Sequence, residues 1–144
     1  LFHFESYSPV SSKSTLLFQL QSGINFQYHS NIMNEFFIGG LTNGFHNQIT
    51  FAGLREGSFY SSSLAAMEVG LRYQLFGNVY LTGNTNVLFN NFVSRSAFYK
   101  SPDFLSGYAL TFTYNFALGP LELSAMYCDQ WKRVMGYVNI GIPF

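Results

Sequence analysis

Residues 108–117 alternate strictly between apolar side chains and small or polar ones. The apolar members are Tyr108, Leu110, Phe112, Tyr114 and Phe116. The residues between them are Ala109, Thr111, Thr113, Asn115 and Ala117. Successive side chains of a β-strand point to opposite faces, so this pattern predicts a strand with one apolar and one polar face. A helix would need an apolar repeat of about 3.6 residues, which this segment lacks.

The same alternation recurs along the chain and predicts a meander of antiparallel strands. Short turns containing glycine at 76–78 and 118–120 join neighbouring segments into hairpins. The predicted strands are 2–5, 16–21, 32–39, 65–75, 79–90, 108–117, 121–128 and 137–144. The sequence therefore predicts an all-β chain of about eight strands.

The charge content indicates which face of these strands points outward. Charged residues make up only 10% of the 144 residues and aromatic residues 19%, whereas charged residues are roughly 25% of a typical soluble domain. A soluble barrel needs charged side chains on its outside, and these strands supply few. If the apolar face contacts lipid, the Asn, Thr, Gln and Gly face lines the lumen. No apolar run approaches the roughly 18 residues of a spanning helix, so a transmembrane antiparallel β-barrel is predicted.

The connections between the predicted strands alternate in length and charge. Short turns without charged residues are predicted near 27–30, 76–78 and 118–120. Longer connections that carry most of the charges are predicted near 9–14, 40–58, 91–104 and 128–133. Short turns at one rim and long polar loops at the other are typical of outer-membrane barrels.

The C-terminal stretch carries a resemblance to a known family. Residues 108–131 read YALTFTYNFALGPLELSAMYCDQW, and the last eight residues read YVNIGIPF. They resemble the end of the BamA-like barrel of bacterial surface-antigen proteins, and more narrowly the barrel fused behind patatin-like phospholipases. The resemblance implies that residues 1–144 are one unit, the C-terminal half of a sixteen-stranded barrel that anchors or conducts a phospholipase-like passenger. It also implies an assembly signal at alternate C-terminal positions, namely Val138, Ile140, Ile142 and Phe144.

In barrels of that superfamily, a long outer loop between the eleventh and twelfth strands folds back into the lumen. Counting back from Phe144, residues 40–58 fall in that position. Their segment Phe-Ala-Gly-Leu-Arg at 51–55 resembles the family's Arg-Gly-aromatic loop motif. The resemblance implies that Gly53 and Arg55 dock the loop, and we expect Arg55 to reach a lumen carboxylate at Glu68 or Glu122.

Glu68 and Arg72 are the most informative charged residues within the predicted strands. They lie four positions apart in one strand, so both point to the predicted lumen side. They form either a gate or loop-docking site, or a solvated pair on the pore wall. Glu122 is expected to face the same lumen.

No catalytic, metal or cofactor pattern is found in the sequence. No serine stands in a Gly-x-Ser-x-Gly pattern, so we expect no catalysis from these residues, and a phospholipase domain would lie upstream. His3, His29 and His46 lack the spacing of metal ligands. Seven basic residues balance seven acidic ones, which argues against a nucleic-acid partner.

Two other interpretations remain open on these grounds. One is a self-contained eight-stranded outer-membrane barrel of porin or adhesion type, and the other is a soluble barrel with its apolar face inward. If the chain is half of a larger barrel, its first and last strands need partners, either upstream strands of the same protein or a second copy. We expect a bacterial outer-membrane location, with membrane lipid and the barrel-assembly machinery as partners.

Overall fold

The computed structural model describes residues 1–25, 35–42, 47–90 and 103–141. These residues form ten strands: β1 (Phe2–Pro9), β2 (Ser14–Ile24), β3 (Phe36–Ile38), β4 (Gln48–Ile49), β5 (Phe59–Ser61), β6 (Ser63–Phe76), β7 (Val79–Asn90), β8 (Phe104–Phe116), β9 (Gly119–Cys128) and β10 (Arg133–Ile140). Within these ranges, no helix is long and apolar enough to cross a membrane. The predicted all-β meander is confirmed.

Seven of the ten strands form one large sheet in the order β1-β2-β6-β7-β8-β9-β10. Every neighbouring pair in this sheet is antiparallel. The five strands β2 and β6 to β9 contain 10 to 14 residues each, and a tilted strand needs about 9–11 residues to cross a bilayer. The sheet is therefore tall enough to span one.

Three tight connections, at 10–13, 77–78 and 117–118, lie at the same end of this sheet, which we call the short-turn end. The Lys13 carbonyl accepts a hydrogen bond of 2.8 Å from the Gln74 N–H, which ties the first turn to the end of β6. The connections that follow β2, β7 and β9 lie at the opposite end, the long-loop end. The 10–13 turn was predicted at the long-loop rim, and that prediction was wrong.

The 10–13 turn was assigned to the wrong end because residues 32–39 were predicted as a strand of the main meander. Counting one strand too many reverses the end at which every earlier turn is placed. The described part of this segment, β3, instead belongs to a separate three-stranded sheet, pairing with β4 in parallel and with β5 in antiparallel fashion. Phe36 and Ile38 on one face of this strand are buried, and Phe37 on the other face packs against Tyr60 of the same small sheet. The large sheet consequently has seven strands instead of about eight. We call the described residues 35–61, between β2 and β6, the insertion.

The apolar face of the large sheet is exposed and its polar face is covered. On β8, Leu110 is 53% exposed while Thr113 on the other face is 4% exposed. Further exposed side chains on the outer face are Leu16, Met67, Leu71, Tyr73, Tyr108, Phe112, Tyr114, Leu123 and Val138. This is the inverse of a soluble barrel and matches a sheet whose outer face contacts lipid. The predicted assignment of the two faces is confirmed.

The large sheet is not closed, and β1 and β10 are its two edges. Because direction alternates from strand to strand, the first and the seventh strand run in the same direction, from the long-loop end to the short-turn end. An antiparallel hydrogen-bond ladder between β1 and β10 is therefore impossible. The described strands do not make the self-contained eight-stranded barrel that the sequence left open.

Candidate functional site on the inner face of the sheet

The insertion packs on the inner face of the large sheet, near the long-loop end. One apolar cluster joins the two: Phe36, Ile38, Ile49, Phe51 and Leu54 from the insertion, and Leu64, Ala66, Leu88, Leu105 and Cys128 from the sheet. Phe51 is completely buried in it. Burial of aromatic and aliphatic side chains away from water supplies most of the free energy that holds such a contact.

The insertion and sheet backbones approach closely at two glycines. Gly53 has a φ of +87°, and a Cβ placed on it would lie 2.5 Å from the carbonyl oxygen of Tyr127. A Cβ on Gly107 would overlap the carbonyl oxygen of Ala52. A glycine on each side thus allows residues 52 and 53 to lie directly against β8 and β9.

Asn86 on β7 fastens the same stretch of the insertion. The hydrogen-bond network assigns its side-chain oxygen as acceptor from the Ala52 N–H, at 2.7 Å, and its nitrogen as donor to the Gly107 carbonyl, at 3.1 Å. Asn86 is 2% exposed, so both bonds are shielded from water. One buried amide therefore connects the insertion backbone to that of β8.

A second polar contact joins the insertion to the edge strand β10. The hydroxyl of Tyr137 lies 2.8 Å from Thr42 Oγ1 and donates to Glu56 Oε1 at 3.2 Å. The insertion is thereby attached to the last strand of the sheet as well as to its centre.

A polar cleft of about 250 Å³ lies beside the docked insertion, on its short-turn side. Leu41 and Thr50 of the insertion form part of its wall. Its charged lining residues come from three strands of the sheet, β1, β6 and β9, and are Glu5, Glu68, Arg72 and Glu122. The cleft therefore brings together charges that are far apart in the sequence.

In this cleft the carboxylates of Glu68 and Glu122 take neutral hydrogen-bond donors. Glu68 Oε1 accepts from the Asn84 side-chain amide at 2.7 Å, and Glu122 Oε2 accepts from that of Asn139 at 3.0 Å. The carboxylate of Glu5 accepts from neighbours on β1 and β2, namely Gln19 at 3.0 Å, Tyr7 at 3.1 Å and His3 at 2.9 Å.

Arg72 shares a face with Glu68, as their spacing predicts, but the two form no ion pair in the part of the chain that the structure describes. Arg72 Nε instead donates to Thr82 Oγ1 at 3.4 Å, and its guanidinium lies 6.0 Å from the centre of the Tyr80 ring. Both partners lie on the adjacent strand β7, which directs the guanidinium away from Glu68. Glu122 lines the same cleft.

The predicted contact of Arg55 with a lumen carboxylate is not formed among the described residues. Gly53 lies against Tyr127, whereas the Arg55 side chain is exposed and lines a separate cavity of about 470 Å³ beside Val134. For Glu122 the reason is its position along β9, since it lies about 20 Å closer to the short-turn end than Cys128, beside which Gly53 docks. Glu68 is level with Cys128 but lies three strands away across the sheet.

The C-terminal strand presents its proposed signal residues outward. Val138 and Ile140 are 65% and 56% exposed on the outer face of β10. Ile142 and Phe144 lie outside the described residues.

Asn86, Gly107 and Tyr137 are the contact residues that sequence reasoning did not single out. A usable signal was present around Leu88, where Val87, Leu88 and Phe89 interrupt the alternation. An apolar residue on the polar face of a barrel strand indicates that something apolar docks there, and Leu88 contacts the insertion core.

Comparison with known proteins adds a family assignment. Residues 3–144 match the OMP85 superfamily. No curated protein and no solved structure matches the chain.

Proposed function

Because this chain belongs to the OMP85 superfamily, we propose that it forms the C-terminal part of a closed outer-membrane β-barrel that further strands of the same polypeptide complete. Membership makes it an outer-membrane β-barrel type of protein, and superfamily members interact with outer-membrane lipid and the assembly machinery. The observation that carries the proposal is the combination of an exposed apolar face with two edge strands that run in the same direction.

The direction of the edges determines what can complete the barrel. β1 and β10 run the same way, so an all-antiparallel ring needs an odd number of added strands between them. Nine added strands would make the sixteen that the resemblance implies, and nine is odd. Further strands of the same polypeptide satisfy this requirement.

A ring built from two copies of the large sheet fits less well. Two copies inserted with the same orientation would place β10 of one beside β1 of the other in parallel, at both seams. Single-chain bacterial barrels are antiparallel with an even number of strands. We therefore favour added strands over a homodimer.

The test of this proposal is the behaviour of the native protein in bacterial membranes. It should fractionate with the outer membrane, resist carbonate extraction, and migrate differently on gels before and after boiling in detergent, as folded barrels do. Recovery of a folded protein in plain buffer without detergent would contradict the proposal and support a soluble barrel.

We further propose that Val138, Ile140, Ile142 and Phe144 form the assembly signal. The outward position of Val138 and Ile140 supports this, because an assembly factor that captures the strand from the membrane side would meet these side chains first. Replacing Phe144 and Ile140 with Ser should slow insertion in an assay with purified assembly machinery, whereas Asn139→Ser on the inner face should not. Equal insertion rates for the unmodified protein, the variant with Ser at positions 140 and 144, and Asn139→Ser would contradict the assembly signal.

The resemblance of residues 108–131 supports one more specific proposal, that the barrel anchors a patatin-like phospholipase domain of the same polypeptide. The residues 1–144 supply no Gly-x-Ser-x-Gly motif, so activity would reside elsewhere in that polypeptide. The native protein should hydrolyse phospholipid in detergent, and the barrel alone should not. A native polypeptide without that activity would contradict the anchor role and leave the barrel proposal intact.

A further inference from the structure

The cavity beside Val134 is lined by two guanidinium groups and by no carboxylate of the described residues. Arg55 of the insertion and Arg133 of β10 both line it, together with the aromatic side chain of Trp131. Its volume of about 470 Å³ lies within the range of cavities that hold small molecules. Two positive charges therefore share one cavity of suitable size without a counter-charge in the described part of its wall.

The docked insertion and the ladder between β9 and β10 bring the two arginines to the same cavity. Arg133 pairs with Cys128, whose side chain is buried on the inner face, so Arg133 lies on that face too. Gly53 lies against the backbone of the same Cys128, and Arg55 follows two residues later. The Arg55 carbonyl accepts from the Ser58 N–H at 3.1 Å and from Ser58 Oγ at 2.6 Å, which fixes the turn that carries this arginine.

The carboxylates nearest to the two arginines in the sequence are bound to other partners. Glu56 accepts from the Tyr137 hydroxyl at 3.2 Å and lines an adjoining cavity of about 610 Å³, which Arg55 also lines. Asp129 accepts from Ser106 Oγ at 2.6 Å. Neither carboxylate lines the cavity beside Val134, and neither arginine forms an ion pair within the ranges that the structure describes.

We propose that this cavity binds the phosphate group of a phosphomonoester at the outer mouth of the barrel. Such a group carries a charge of about −2 near neutral pH and three acceptor oxygens, which guanidinium groups match in bidentate fashion. A carboxylate has one charge and two oxygens, so it would satisfy one arginine and leave the other. In outer-membrane barrels the long loops face the outside of the cell, so the phosphate group reaches the cavity from there. It belongs either to a soluble ester or to a lipid headgroup.

The experiment is isothermal titration calorimetry on the native full-length protein in an uncharged detergent. Glycerol 3-phosphate serves as the soluble phosphomonoester, and dihexanoyl phosphatidic acid serves as the lipid with the same headgroup. The unmodified protein should show saturable binding of at least one of them. The affinity should fall at high salt, because the contacts are between charged groups in a cavity open to solvent.

Three variants test whether the two arginines make the site. Arg55→Gln and Arg133→Gln each remove one guanidinium from the cavity, and each should weaken binding by about ten-fold or more. Lys132→Gln is the matched control, because it removes the same charge from an exposed neighbour that does not line the cavity. It should change the affinity by less than about two-fold.

Binding of glycerol 3-phosphate that depends on the arginines supports the proposal and identifies a soluble ligand. Binding of phosphatidic acid alone, with the same dependence, supports it and identifies a lipid headgroup. If one arginine variant fails to fold, the other decides. Absence of saturable binding by a folded protein, or equal weakening in the Lys132 variant, overturns the phosphate site and leaves the proposed function intact. An unmodified protein without a heat-dependent shift on gels overturns both.

Discussion

Gly107 and Gly53 allow two backbones to approach to contact distance where any other residue would separate them. The Ala52 carbonyl occupies the space that a Cβ on Gly107 would need. Asn86 then satisfies the Ala52 N–H and the Gly107 carbonyl at the same place. A few atoms thus determine whether the insertion docks closely or stands off from the sheet.

Gly107→Ala should loosen the insertion without unfolding the sheet, because the added methyl overlaps the Ala52 carbonyl. We expect hydrogen exchange of the amides in residues 47–57 to accelerate, while those of β6 to β9 keep their protection, as read by mass spectrometry. Gly136→Ala is the matched control, since a Cβ on Gly136 meets nothing within 4 Å. Unchanged exchange in the Gly107 variant would show that this contact does not hold the insertion.

Asn86→Leu should destabilise the protein by about 1–3 kcal/mol, because a side chain of similar size leaves the Ala52 N–H and the Gly107 carbonyl buried without this partner. Asn115→Leu provides the control, since the Asn115 side chain is exposed near the short-turn end. Urea titration in lipid vesicles, followed by the fluorescence of Trp131, measures both. Equal midpoints for the two variants would refute the role given to Asn86.

At this scale the resemblance named Gly53 and Arg55 as docking residues, and the structure places the Gly53 backbone against the sheet but leaves the Arg55 side chain exposed. Gly53 lies directly against β9, and such a close approach of backbones needs glycine whatever the surrounding side chains are. Arg55 was expected to pair with Glu68 or Glu122, but the direction of a side chain two residues beyond a left-handed turn depends on how that turn packs. Sequence spacing alone contains no information on that packing.

The strands of the large sheet differ from those of soluble proteins in which face is covered. From Tyr108 to Tyr114 on β8 the exposed side chains are the apolar ones, and between them Ala109 and Thr113 are buried and Thr111 is half-buried. Such a strand is stable only when its outer face meets hydrocarbon, so neighbouring positions on one strand should respond to the same substitution in opposite ways.

Leu110→Arg should cost about 2–4 kcal/mol, because it places a charge on the lipid face near the middle of β8. Thr111→Arg, one position along, points into a cleft lined with carboxylates and should be tolerated. The folded fraction of each variant, read from the band shift on unboiled gels across a urea series, compares the two. The reverse order of stability would place the apolar face inside and revive a soluble barrel.

Strands were predicted correctly where apolar and polar side chains alternate over a long segment. The prediction failed where the strands are short. The strands β6 to β9 are 10 to 14 residues long and alternate over most of that length, and their faces were assigned correctly. Residues 36–38, Phe-Phe-Ile, are apolar on both faces, since the strand they form lies within the insertion. A three-residue strand carries too little pattern to reveal which sheet it joins.

For the whole molecule, what completes the barrel depends on whether the number of strands in the large sheet is odd or even. Seven alternating strands leave both edges pointing the same way. Sequence reasoning counted about eight strands, for which the two edges would be antiparallel and self-closure or a two-copy ring would be natural. A single strand assigned to the wrong sheet therefore changed the preferred assembly.

The native detergent-solubilised particle should contain one copy of a polypeptide longer than 144 residues. Intact mass spectrometry of the denatured chain, beside native mass spectrometry of the folded particle, measures both quantities. Two copies of a 144-residue polypeptide in one particle would contradict this expectation and require a ring with two parallel seams.

The position of the insertion in the chain sets an order of events during folding. Its docking surface extends over β6 to β9, with Cys128 and Tyr127 among its contacts, although the insertion itself precedes all four strands. During synthesis, the apolar side chains of the insertion emerge before the surface that covers them exists. Contacts between residues so distant in sequence form slowly, and exposed apolar segments aggregate in the interval. A chaperone that holds the chain in the periplasm until the last hairpin arrives would therefore shield the insertion first.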